Sequence, residues 1–361
     1  MPRKSNLELL RILAILAIVS GHLLSQSSLV NVTGTNHILA MLLGSGVRIG
    51  VNVFLILGVW FMVDAKFKAE RIVRLYLEVF FYSVPITICM LLTGEAGGLR
   101  NVLQGMLPFF GRSVWFASAY ISLIALSPFL NHFFTLPARM QRTLLAVLVL
   151  LFCLVPTIPC STPLDYLADF TWFCVVYLVI GIIKKENMLD RLRGAKRFFL
   201  AGCAVYSALV GMRLVPTTQP IADYWIVNIK SLPNFLCAFL IFLGFLRLDF
   251  GVVKGINFAA RSVFAVYIVH QTPAFIHYQW NVLCRADSFV NASPAVFAGA
   301  VVGISFAVFL VASAVDFVRL RFLEPHYMAF PPVKWICSKI SSFYAVEGED
   351  ATRYLCRVNE F

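Results

Sequence analysis

The chain has 361 residues, 60% of them hydrophobic and 13% charged, against about 45–50% and about 25% in a soluble globular domain. That composition excludes a water-soluble fold, and the apolar residues arrive in runs of roughly 17–25, the length of a bilayer-spanning helix. The formal net charge of +12 serves either membrane topology or an anionic partner, and its placement along the chain decides which.

Backbone in hydrocarbon must satisfy its own hydrogen bonds, so only helices and closed barrels cross a membrane. These runs are too long and too evenly apolar for barrel strands. The sequence therefore predicts an all-α polytopic integral membrane protein, a bundle of about ten transmembrane helices.

The first run, 7–25, follows Arg3 and Lys4 as a signal peptide would. Arg11 interrupts its core, however, and no small-residue cleavage site follows, so it reads as a retained first helix. It contains RILAILAIVSGH, residues 11–22. Eleven helical residues turn about 1100°, roughly 20° past three full turns, and rise about 16 Å. Arg11 and His22 therefore share one face, near one membrane surface and well inside, respectively. Ionisable residues so placed usually face the protein interior and act there. An arginine can grip a phosphate bidentately, and a histidine away from water is a neutral proton acceptor.

The second run is 47–63. A basic loop follows, with Lys66, Lys68, Arg71 and Arg74 leading into 75–92; Arg71 and Arg74, three apart, are helical neighbours. Glu78 is the i+4 neighbour of Arg74 and is expected to pair with it. The run 115–134 opens with Trp115 and Tyr120, which fit either an interfacial aromatic belt or a stacking surface for a sugar ring. Further runs cover 143–158, 167–183, 197–214, 227–246, 258–276 and 295–315. In 258–276, Tyr267 and His270 share a face. Arg48, Asn52 and Arg213 fall on the side opposite the basic loops, where they could line an acceptor mouth. The chain divides into a membrane domain, 1–320, and a short tail, 321–361. The nine cysteines form no C-x-x-C pair and most lie inside apolar runs as small hydrophobes, so neither a disulfide framework nor a metal site is expected.

Alternating the loops between sides places 24 of the 30 Lys and Arg on the side of the first residues, leaving Arg48, Arg100, Arg112, Arg213, Lys230 and Arg285 opposite. Such a bias marks the cytoplasmic face, so both termini are expected inside. Much of the positive charge is then topological and implies no nucleic-acid partner, while the basic face could also bind an anionic cytoplasmic ligand.

Five blocks together resemble the membrane acyltransferase 3 family: NLELLRILAILAIVSGHLL, GVNVFLILGVWFM, KFKAERIVRLYLEVFFYS, SVWFASAYISLIALSPFLN and ARSVFAVYIVHQTP. They come in the family's order and span about 6–275. The Trp-Phe block is similar to the branch that modifies extracellular polysaccharides. Leu57-Gly58 stands where the family often has Ser-Gly, and Val114 where a polar or aromatic residue is frequent.

The resemblance implies an integral-membrane O-acetyltransferase of the cell membrane. It would take acetyl-CoA as acyl donor, with no metal, and a hydroxyl of a cell-surface polysaccharide or lipid-linked sugar as acceptor. Partner proteins of polysaccharide biosynthesis are implied as well. Arg11, Arg71 and Arg74 would hold the CoA phosphates, and the pantetheine arm would carry the thioester to His22, the general base, with Arg11 assisting. Trp115, Tyr120 and His270 would contact substrate. The alternative is a secondary transporter or exporter using Arg11, His22, Glu78 and His270 as a path. The runs show no inverted halves with interrupted helices, as a transporter would, and three arginines suit a polyphosphate better than an ion gradient.

Overall fold

In a computed structural model that describes residues 4–110, 114–159, 169–189 and 194–344, the chain is helical throughout, with no strand among the described residues. Arg3, Arg112, Arg191, Arg193, Arg353 and Arg357 of the charge pattern, and the tail from 345 onward, lie outside them. The helices in order are α1 (Ser5–Gln26), α2 (Gly34–Gly44), α3 (Val47–Met62), α4 (Ala69–Leu92), α5 (Leu99–Met106) and α6 (Trp115–Asn131). Next come α7 (Ala138–Val149), α8 (Val155–Thr157), α9 (Asp169–Lys185), α10 (Ala195–Arg213), α11 (Gln219–Val227) and α12 (Leu232–Leu246). The last are α13 (Lys254–Ala259), α14 (Val263–Gln271), α15 (Pro273–His277), α16 (Pro294–Val318), α17 (Glu324–Ala329) and α18 (Pro331–Tyr344).

Among the described residues, 7 helices are long and apolar enough to cross a membrane, or up to 8 if α11 and α12, bent by 58°, form one broken span. Two further expected spans correspond to α9, 17 residues long, and to α13–α15, which is divided at Ala260–Ser262 and at Thr272. Pro273 has no N–H to continue the helix from Gln271. At the α11–α12 bend the freed polar groups are re-satisfied inside the bundle. Asn234 Nδ2 donates to the Ile226 carbonyl (3.1 Å), and the Leu232 N–H donates to Thr157 Oγ1 (2.7 Å). This is the condition on which non-helical backbone persists at membrane depth.

The core forms around an antiparallel pair, α1 and α3, brought together by small residues. A Cβ on Gly21 would lie 2.0 Å from Val47 Cγ2, and one on Gly50 would lie 2.9 Å from the Ala14 carbonyl oxygen. With lipid as apolar as the side chains, such close backbone approach is what holds membrane helices together. Asn52 on α3 ties in two more helices: its amide donates to the Ile229 carbonyl (2.9 Å) and to Asn234 Oδ1 (3.2 Å), and its Oδ1 accepts from Trp172 Nε1 (2.9 Å). Asn52 is thus a packing bridge. Arg213 bonds Asp223 (2.6 Å) and Ser45 (2.9 Å).

A buried ionic hub joins α4 to α16 and α17. Arg319, 1% exposed, reaches Asp316 (2.7 Å), Glu324 (2.6 Å) and Glu78 (3.1 Å), and donates to the Tyr327 hydroxyl (2.7 Å). Tyr82 donates to Asp316 at 2.7 Å. This corrects the expected Arg74–Glu78 pair: Glu78 belongs to Arg319, and Arg74 turns to Glu324 at 3.2 Å. The i,i+4 spacing permits a pair, but the buried guanidinium is the stronger partner for a buried carboxylate. Helix continues through residue 320, by a π-turn, to Ala329. Helix α18 then folds back, and the Tyr344 hydroxyl donates to the Ala125 carbonyl at 2.9 Å.

Candidate functional site

Helices α1 and α14 run in the same direction. At one end Ser5 Oγ donates to Asn257 Oδ1 (2.9 Å), just ahead of α14; at the other, Gln26 and Gln271 exchange amide hydrogen bonds (3.4 and 3.2 Å). That fixes the register of their functional residues. Arg11 and Arg261 share one end, and His22 and His270 the other.

Between them, and walled by α3, α4 and α6, lies a cavity of about 290 Å³. Its lining includes Arg11, His22, Arg48, Arg261, Trp115 and Tyr120. The periodicity of α1 places Ile15 and Ile18 between Arg11 and His22 on that same wall. Arg11 is a quarter exposed and anchored by Glu8 Oε2 at 2.7 Å, one turn earlier. Arg48 sits with its guanidinium carbon 5.4 Å from the centre of the Trp115 ring, a cation–π contact, and its charge acts on His22.

Tyr120 reaches the cavity because residue 58 is glycine. A Cβ there would lie 2.6 Å from the Tyr120 hydroxyl and from its ring edge, so only glycine leaves room for the phenol against α3. Phe116 stacks on Tyr120 (ring centres 5.8 Å apart, 9° between planes) and meets Tyr267 edge-on at 5.9 Å. Trp115 therefore stands beside Arg48, while Tyr120 feels the charges of Arg11 and Arg71. Both face the interior and are not part of an outward belt.

The remaining expected residues lie around this cavity. His270 does not line it; fully buried, it stands behind His22, with Nε2 3.0 Å from His22 Nδ1 and Nδ1 donating to the Val266 carbonyl at 2.6 Å. Gln271 Nε2 lies 2.9 Å from the same His22 Nδ1. His22 Nε2 is then the ring nitrogen left to the cavity. Arg71 is exposed, one turn before the lining residue Leu75 on α4. Arg74 is half exposed and held by Glu324, outside the cavity.

Arg48 and Arg261 join the site from loops that the charge pattern assigns to opposite sides. Of the three residues expected at an acceptor mouth, Arg48 lines the cavity and Asn52 and Arg213 do not; Arg261 is expected only as a basic loop residue, and the packing of α14 on α1 brings it in. The arrangement is three guanidinium groups and a histidine around an otherwise apolar slot. It can bind an anion at one end and accept a proton at the other.

The model of the Acyl_transf_3 family, described as an acyltransferase domain, matches residues 4–313. Comparison with curated proteins and with solved structures finds no match. The matched stretch contains every residue lining the cavity, and the chain belongs to the Acyl_transf_3 family of acyltransferases.

Proposed function

We propose that this membrane acyltransferase moves an acetyl group from acetyl-CoA to a hydroxyl of a cell-surface or exopolysaccharide sugar, or of its lipid-linked precursor, with His22 as general base. One observation carries the reading: a single cavity joins Arg11 and Arg261 at one end to His22 at the other. Its volume is at the low end for small-molecule sites, about 300–1,000 Å³. It suits a pantetheine arm and an acyl group, leaving the nucleotide end outside.

In this reading the protein lies in the cell membrane with both termini, and the Arg11 end of the cavity, on the cytoplasmic side. Arg11, Arg261 and the exposed Arg71 hold the CoA phosphates, Arg71 one turn from the cavity wall. Arg74, already paired with Glu324, adds field at longer range. The arm runs along α1, whose rise of about 16 Å from Arg11 to His22 matches the reach needed to bring the thioester to the histidine. His22 Nε2 takes the acceptor proton as the oxygen attacks the thioester carbonyl. Arg48, fixed over Trp115, supplies positive charge where the carbonyl oxygen becomes an anion; such preorganised charge is usually the largest single contribution to acyl transfer. Trp115 and Tyr120 offer ring faces and a hydroxyl to the substrates.

The test compares O-acetyl content of surface polysaccharide by proton NMR in cells carrying the wild-type protein, His22→Ala, or none, with membrane levels matched by blot. Loss of the acetyl signal in both the null and His22→Ala supports the reading; general-base removal typically costs roughly 10²–10⁴-fold. An unchanged signal with properly inserted His22→Ala excludes His22 as the base. An unchanged signal in the null excludes that polymer as acceptor.

A further inference from the structure

The hydrogen bonds behind His22 form one continuous chain, and its two ends have fixed polarity. At one end the Val266 carbonyl can only accept, so His270 Nδ1 carries a hydrogen. At the other, Trp280 Nε1, which can only donate, points at Gln26 Oε1 at 3.3 Å, and Trp280 is fully buried. Between them lie Gln26 against Gln271 (3.2 Å), Gln271 against His22 Nδ1 (2.9 Å), and His22 Nδ1 against His270 Nε2 (3.0 Å).

Followed from Trp280, every role is forced. Gln26 must present oxygen to the indole N–H. Gln271 must then present its NH₂ to Gln26 and to His22 Nδ1, leaving Nδ1 a bare acceptor. His270 Nε2 must therefore carry a hydrogen to meet it. Since its Nδ1 already does, His270 in this setting is the protonated, imidazolium form. Followed from Val266 with a neutral His270, Nε2 is bare and His22 Nδ1 carries the hydrogen. Gln271 must then turn its oxygen to His22, and Gln26 must turn its NH₂ to Gln271. The buried Trp280 N–H is left facing a donor. The chain thus has two settings that differ by one proton, and only the proton-loaded one satisfies every member. An unsatisfied buried donor is costly, so the amide settings offset part of the cost of burying an imidazolium.

We propose that His22 and His270 act as one proton-holding pair, with Gln271, Gln26 and Trp280 as positioning residues that favour its loaded form. This rests on the acyl-transfer reading of the cavity. As the acceptor O–H bond breaks and the ester C–O bond forms, the proton passes to His22 Nε2, and the hydrogen on His22 Nδ1 moves to His270 Nε2. As the thioester C–S bond breaks, the reverse shift returns a proton from His22 Nε2 to the departing CoA sulfur. Nothing is oxidised or reduced, and the products are the O-acetyl ester and CoA thiol. Charge moves away from the reacting atoms to a ring behind the base, and Arg48, whose charge also acts on His22, is left to the oxyanion.

The experiment uses membrane vesicles carrying the full chain and the host polysaccharide, with [14C]acetyl-CoA and ester-bound label as readout. His270→Gln can still accept the hydrogen bond from His22 but cannot hold a second proton, and Trp280→Phe removes only the buried N–H. The expected result for His270→Gln is a fall in kcat of about tenfold or more, a fraction of the general-base effect, with KM for acetyl-CoA within about twofold and a larger D₂O effect on kcat. Trp280→Phe shows the same pattern more weakly. Each variant is checked for wild-type yield and elution in detergent. Wild-type kcat and D₂O effect in folded His270→Gln, or equal losses in kcat and in acetyl-CoA affinity, overturn the pair. If His22→Ala retains full transfer, the reading of His22 as base fails instead; if wild-type vesicles transfer no label, the acetyl donor and sugar acceptor fail.

Discussion

Gly58 shows how one missing side chain shapes the site. The space a Cβ would take is filled by Tyr120, the far end of a side chain that can swing. Gly58→Ala is therefore expected to fold but to push the phenol into the cavity. Overpacking of this kind costs about 1–3 kcal/mol, and here it should emerge as a rise of roughly tenfold in KM for acetyl-CoA at unchanged membrane level. Wild-type KM in the variant would show that Tyr120 does not border the donor path. At this scale helical spacing placed Arg11 and His22 on one wall, but did not separate Tyr267, which lines the cavity, from His270, which stands behind it. Arg11 and His22 could be placed on one face because a single period governs both. Arg48 could not be paired with His22, because that contact is made between helices and leaves no periodic trace in either.

At the scale of the helix, the hub around Arg319 makes a test of what holds α4 to α16. Removing one partner from a buried ion cluster typically costs about 3–5 kcal/mol, because the remaining charges stay buried and uncompensated. Arg319→Met should lower the thermal midpoint of the detergent-solubilised protein by several degrees. Adding Glu78→Gln and Asp316→Asn to it should recover part of the loss. A midpoint unchanged by Arg319→Met would mean that the carboxylates find other partners. Helical spacing pairs Glu78 with Arg74, since a helix offers its own i−4 neighbour first; the observed partner, Arg319, lies near the other end of the chain. The helical runs themselves were legible throughout from apolar length alone. Their breaks were not, because Pro233 and Pro273 interrupt helices only where Asn234, Thr157 and Thr272 can take up the freed backbone groups.

For the molecule as a whole, the proposed orientation rests on the basic loops and can be tested directly. Reporter fusions at the first residue and after residue 344 should both report the cytoplasm, and a fusion in the 93–98 turn between α4 and α5 should report the opposite side. A C-terminal fusion reporting outside would invert the proposed donor path, since the Arg11 end of the cavity would then face away from the CoA pool. The hub also sets an order of events during synthesis. Glu78 on α4 and Arg319, paired at 3.1 Å, are 241 residues apart in the chain. At about 5–20 residues per second, the acid on α4 waits roughly 10–50 s for the cation that neutralises it. Until that last long helix arrives, Glu78 has on its own helix only Arg74, its i−4 neighbour, as a partner. Chains cut short before residue 319 keep α4 without the buried cation that ties it to the end of α16 in the finished protein.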